Sequence, residues 1–104
     1  MEHSAGIAIT DGYSLLSLQP FGKKKGQSNS RDIPKGRVEN DESLSKAAIR
    51  EAKEEIGLEL DPLKLQKIKT FDNYRPNKKL TLFLLVYTEL PDTGPMYCSE
   101  YFDI

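Results

Sequence analysis

The sequence predicts a small α/β domain, and three observations carry that expectation. Leu44, Ala48, Ala52 and Ile56 recur at every fourth position with Ala47 alongside, the apolar stripe of one amphipathic helix. Residues 6–10 and 13–18 read as two strands around an Asp11-Gly12 turn, a β-hairpin signature. Residues 80–88 are apolar on both sides of a strand, which places that strand inside a sheet.

The other elements follow in order. Residues 21–31, with Lys23, Lys24 and Lys25 among glycine, serine and asparagine, read as a loop. Three adjacent lysines attract a polyphosphate in principle, but such a run is more often a solvated loop. The helix over residues 44–56 takes Asp41 or Ser43 as its N-cap and stops at Gly57. A strand is expected over residues 65–71, a turn at 75–77 and a loop over 90–95, and residues 96–104 begin a further element.

Composition narrows the function classes. The chain has 104 residues, enough for one domain with a thin core, and 38% hydrophobic with 30% charged residues is the balance of a globular protein. A net charge of -1 supplies no broad basic field for a nucleic-acid duplex or a membrane surface. Cys98 is the single cysteine, so no internal disulfide forms, which fits a reducing cytoplasm. The one histidine, His3, sits near the chain terminus with no visible pairing to Cys98, so a packed or idle thiol is expected. Residues 1–4 do not read as a signal peptide, and the longest apolar run, residues 82–87, is too short to span a bilayer.

The chemistry concentrates between Gly36 and Leu58. Glu51, Glu54 and Glu55 stand at i, i+3 and i+4, so their carboxylates emerge on one side of the helix. Like charges at that spacing repel, which asks for a compensating cation. Arg50 reaches Glu54 at i+4, leaving Glu51 and Glu55 under-compensated, and oxygen-only clusters of this kind suit Mg²⁺ or Mn²⁺. A solvated acidic helix face is the alternative on this spacing alone.

The whole segment alters that balance. It reads Gly36, five residues, Glu42, seven residues, then Arg50-Glu51-Ala52-Lys53-Glu54-Glu55-Ile56-Gly57-Leu58. This resembles the Nudix box, G-x5-E-x7-R-E-U-x-E-E-x-G-U, where U is a bulky aliphatic residue, with Ala52 at the first U as its one soft departure. Seven specified residues at fixed spacing arise by chance in roughly one such chain in a million.

The resemblance implies a Nudix-type α/β/α sandwich with a mixed sheet and a loop-helix-loop, a single domain over residues 1–104. It implies Mg²⁺-dependent hydrolysis of a diphosphate bond in a nucleoside diphosphate linked to another group. Glu51 and Glu55 would be the principal metal ligands, with Glu54 sharing and the Lys35 carbonyl as a further ligand. Arg50 would steady Glu54 or a neighbour, and Glu42 would brace the loop, while Gly36 and Gly57 bracket the unit. The general base would be a box glutamate, Glu54 or Glu55, or a later acid, for which Glu100 is the candidate; an exposed acid with no role is the alternative there.

Ile33-Pro34-Lys35-Gly36 with Glu39 resembles the P-K-G-x-x-E lead-in of diadenosine polyphosphate and diphosphoinositol hydrolases. Tyr74 lies about where the diadenosine polyphosphate branch stacks a tyrosine on a base, and nearby Pro76 is also similar to the ADP-ribose branch. Lys35 and Tyr74 are therefore the candidate substrate-binding residues, for a dinucleoside polyphosphate such as diadenosine tetraphosphate or for ADP-ribose. A non-catalytic nucleotide-binding module and an RNA 5′-pyrophosphohydrolase are the other functional readings. Against the family pattern the chain stops before a last strand and closing helix, so a C-terminal truncation or a partner subunit is expected. An uncovered sheet face would favour a homodimer.

Overall fold

In the computed structural model, which describes residues 2–18 and 32–91 and the backbone of 99–103, strands and one helix follow in the order β1 (Glu2–Thr10), β2 (Ser14–Leu18), β3 (Lys35–Arg37), α1 (Leu44–Ile56), β4 (Gln66–Arg75), β5 (Lys78–Val86) and β6 (Ser99–Asp103). A short 3-10 turn, Pro62–Lys64, leads from the helix into β4. The lysine-rich stretch of residues 21–31 and Cys98 lie outside the described residues.

The strands form one mixed sheet in the order β4-β5-β1-β2-β6, with β3 paired to β1 beside the path. β1 runs parallel to β5 in unbroken register from Glu2↔Lys78 to Thr10↔Val86. Its other edge is shared. β3 takes the first part, from Ser4↔Arg37 to Gly6↔Lys35, and β2 the far end at Thr10↔Leu15. This is the mixed α/β architecture expected from the sequence, and β5 is flanked on both sides as predicted.

Two strands are longer than the polarity pattern indicates. β1 starts at Glu2 rather than residue 6 because β5 and β3 supply partners along that whole stretch. His3, although near the terminus, therefore sits within the sheet. Its Nε2 hydrogen-bonds Thr81 Oγ1 at 2.7 Å, and Thr81 Oγ1 meets Thr70 Oγ1 at 2.8 Å. β4 continues to Arg75 through an irregularity between Phe71 and Arg75, where Asn73 takes φ 54°. The turn to β5 follows, with Asn77 at φ 60° in the left-handed region that asparagine tolerates.

The core lies between the sheet and α1. Alternate residues Ala5, Ile7 and Ile9 of β1 and Phe83 and Leu85 of β5 meet Ala47, Ala48, Ala52 and Ile56 of the helix. The three helix alanines carry no bulk beyond Cβ, so α1 lies close against β1, and Ala52 is fully buried there. A larger aliphatic residue at that position would overpack the interface. β5 is less evenly covered than predicted: Thr81, Phe83 and Leu85 are buried, whereas Leu80, Leu82 and Leu84 on the opposite face are half-buried and Val86 is exposed.

The helix ends are set as the sequence indicates, with one choice resolved. Ser43 is the N-cap and its side chain accepts from the Lys46 amide. Asp41 instead occupies a left-handed turn position at φ 65°. Gly57 closes the helix at φ 73°, where a side chain would be strained, and its amide returns to the Lys53 carbonyl. Because Ile7 is completely buried between sheet and helix, Ile7→Ala is expected to lower stability by about 2–4 kcal/mol in urea unfolding.

Candidate active site

The helix presents its acidic side to β3. The Lys35 amide donates to Glu55 Oε2 at 3.1 Å, so the first residue of β3 is fastened to the last turn of α1. Gly36, next along, packs directly on Glu51. A Cβ built at Gly36 would fall inside the Glu51 carboxylate. Strand and helix thus approach closely enough that no side chain fits between them.

Arg50 ties this junction together. Its Nε and Nη2 donate to Glu42 Oε2 and Oε1 at 2.8 and 3.0 Å, a two-pronged pairing. Nη1 donates to Glu51 Oε1 at 2.7 Å, and Nη2 also reaches the Arg37 carbonyl at 2.9 Å. Its approach to Glu54 Oε2 is looser, at 3.4 Å. This corrects the expectation from helix spacing. Arg50 serves Glu42 and Glu51 first and Glu54 last, so Glu51 is compensated. The Glu42 carboxyl also accepts from the Glu39 amide at 3.1 Å, and Arg50 first, with that bond, holds it down at about 2. Pairing with Glu42 and Glu51 raises Arg50 in turn.

Among the described residues, Glu55 forms no ion pair, and the Lys35 charge acts on it only at longer range. Burial is the main influence on its carboxyl and pushes it up to about 7; the Lys35 amide opposes this, the neighbouring charge of Glu51 adds to it, and the charges of Lys35 and Asp32 lower and raise it in turn. Lys35 directs its ammonium to Asp32, which holds it in an ion pair. Asp32 is the residue that the sequence reading missed, because its place depends on an isolated β-bridge to Leu18.

The structure therefore brings Lys35, Gly36, Glu42, Arg50, Glu51 and Glu55 to one junction, with Asp32 at its margin. Glu54 stands on the exposed flank of the helix. Gly57 is beyond it as the helix stop. Tyr74 lies half-buried on β4, separated from β1 by β5, and the junction does not include it. Glu100 is placed on β6 opposite Ser17 of β2, at the other flank of the sheet.

Among the described residues, no three His, Cys, Asp or Glu side chains gather at the spacing of a finished metal cage. The donor chemistry nevertheless fits a hard divalent cation. Glu51 and Glu55 offer oxygens only, one of them half-buried with no ion pair among the described residues, at a backbone approach that Gly36 keeps clear.

Two outcomes are expected from this geometry. In Gly36→Ala the new methyl displaces the flexible end of Glu51 and breaks its bond to Arg50, while the fold persists. Urea unfolding should then show a loss of about 1 kcal/mol, with divalent-cation binding reduced far more severely. The second outcome concerns pH. The Glu55 carboxyl is raised from its ordinary 4.5 to about 7 in the folded chain, so the folded state binds its proton more tightly than the unfolded state does. That contribution is fully present below 4.5 and is lost as pH rises through 7. Unfolding of the cation-free protein between pH 4.5 and 7 should show this falling component, and Glu55→Gln should remove it.

Comparison with known proteins places the chain. A family model for the NUDIX domain matches residues 2–100. Comparison with curated proteins by sequence finds no match. Among solved structures, a MutT/nudix family protein from Enterococcus faecalis is similar at TM-score 0.75 and 20% identity, with 98% of this chain and 43% of that one covered. A bifunctional NMN adenylyltransferase/ADP ribose pyrophosphatase from Francisella tularensis, complexed with AMP and Mn ion, is similar at TM-score 0.75 and 18% identity, covering 96% of this chain and 33% of that one. The Ap4A hydrolase of C. elegans is similar at TM-score 0.64 and 23% identity, covering 99% of this chain and 80% of that one. The chain spans less than half the length of the first two. At these identities the shared property is the fold. The family match over residues 2–100, a stretch that includes this junction, shows that the chain belongs to the Nudix family.

Proposed function

We propose that this chain is a pyrophosphohydrolase that uses Mg²⁺ or Mn²⁺ to cleave a diphosphate bond in a nucleoside diphosphate linked to another group. The observation that carries this reading is Glu55, half-buried, set beside Glu51 and forming no ion pair among the described residues. A buried carboxylate pair of that kind is costly for the apo fold and is relieved by a divalent cation. When bound, the cation neutralises charge on the diphosphate oxygens and makes a bound water more acidic.

The residues of the chain then divide the remaining work. Glu51 and Glu55 hold the cation, with the Lys35 carbonyl beside them and Glu54 contributing from the exposed flank. Arg50 fixes the Glu51 carboxylate and is itself fixed by Glu42, so neither rotamer is left to drift. The proton of the attacking water passes to a carboxylate, for which Glu54 and Glu55 on α1 and Glu100 on β6 are the proposed acceptors.

For the substrate we propose a dinucleoside polyphosphate such as diadenosine tetraphosphate, or ADP-ribose. Support comes from Pro34-Lys35-Gly36 and Glu39 and from the Lys35 ammonium at the margin of the junction, while Tyr74, outside the junction, is the proposed stacking surface for a base. The Francisella and C. elegans structures, named for ADP-ribose and Ap4A respectively, agree with that choice. A homodimer is proposed on separate ground, since Ile68 and Val86 are exposed on the described sheet.

A turnover assay with Mg²⁺ across diadenosine tetraphosphate, ADP-ribose, FAD and nucleoside triphosphates tests the reading. Hydrolysis of one of the first two is expected, falling on the order of 10²-fold or more in Glu55→Gln with the circular dichroism unchanged. Full activity in that variant would sink the assignment of Glu55, and no turnover of any substrate would favour a nucleotide-binding module.

A further inference from the structure

Lys35 is placed awkwardly for a residue beside a cation site. Its amide donates to Glu55, and its ammonium, on a flexible stem, acts through its charge on that same carboxyl. An ammonium that swung onto Glu55 or Glu51 would occupy the site in the cation's place. Asp32 takes that ammonium instead.

Asp32 is well fixed for this task. Its backbone forms a reciprocal pair with Leu18 at the end of β2: Leu18 N donates to the Asp32 carbonyl at 2.6 Å, and Asp32 N donates to the Leu18 carbonyl at 3.1 Å. One side-chain oxygen, Oδ1, accepts from the Ile33 amide at 2.8 Å, which orients the carboxylate. The other, Oδ2, faces Lys35 Nζ. The Lys35 side chain is largely covered in this arrangement, whereas Asp32 is about half exposed.

We propose that Asp32 is a positioning residue that holds the Lys35 ammonium off Glu51 and Glu55, keeping both carboxylates open to a divalent cation. The inference rests on the proposed cation site at those two glutamates and adds to it the device that stops the site from closing on its own lysine. When a diphosphate arrives, the same ammonium lies at the margin of the site, where a phosphate oxygen competes with Asp32 for it.

The test is a double-mutant cycle read by Mn²⁺ titration of the full chain, with electron paramagnetic resonance reporting free Mn²⁺ and no substrate present. Asp32→Asn is expected to weaken Mn²⁺ binding roughly three- to tenfold, because the released ammonium competes for the carboxylates. Adding Lys35→Met to that variant should recover most of the loss, whereas Lys35→Met alone should change little. Unaltered binding in Asp32→Asn overturns the proposal. So does an equal effect of Lys35→Met in both backgrounds, which would mean that Asp32 acts only through its own charge. Asp32→Ser, which keeps an acceptor for the Ile33 amide, runs the same cycle if the asparagine variant does not fold. Mn²⁺ binding that survives unchanged in Glu55→Gln would instead overturn the underlying cation site, a result distinguishable from either of the others.

Discussion

The guanidinium of Arg50 is the interaction on which the candidate site depends. One planar group gives two bonds to Glu42, one to Glu51 and one to the Arg37 carbonyl, and so joins the loop before the helix, the helix itself and β3. A lysine could not do this, since its three donors share one nitrogen and cannot span four acceptors in a fixed fork. Without it, Glu42 and Glu51 would face each other at a largely covered junction, and their repulsion would push β3 off the helix.

The reach of Arg50 also decides where charge is left over. Because it serves Glu42 and Glu51, it does not reach Glu55, and Lys35 turns its ammonium away to Asp32. Among the described residues, the site thus contains one carboxylate held rigid by a guanidinium and one without an ion pair. Rigidity orients a ligand, and an uncompensated charge binds it; neither glutamate alone supplies both. The fold supplies the setting through Gly36 and the helix alanines, which let backbone and helix come close enough for burial to act on Glu55.

How legible this was in the sequence depends on whether local or distant neighbours decide. The helix was readable to the residue, because Leu44, Ala48, Ala52 and Ile56 carry its period and Ser43 and Gly57 its ends. The Nudix spacing likewise announced Glu51 and Glu55. β3 was not readable, since Lys-Gly-Arg has no strand pattern and becomes one only by pairing with β1. Helix spacing suggested Glu54 as the partner of Arg50, because it is the acid one helical turn away at i+4; Glu42 and Arg37 arrive through the loop. Asp32 was silent for the same reason, being placed by Leu18 across a bridge. His3 took its position from β5, far along the chain.

That last pairing has a kinetic side. β1, at the start of the chain, lies parallel to residues 78–86 along its whole length, and it is also the strand on which α1 and β3 rest. The centre of the sheet therefore cannot be completed until nearly the whole described chain has been made. Contacts of such separation demand loop closure before they repay it, which slows folding and leaves β1 and its isoleucines exposed in the meantime. During synthesis on a ribosome, the β2 hairpin partner and the helix are available early, while the carboxylate junction must wait for β5 to anchor the strand beneath it. The helix that carries Glu51 and Glu55 is thus made before β5 and set in place only after it.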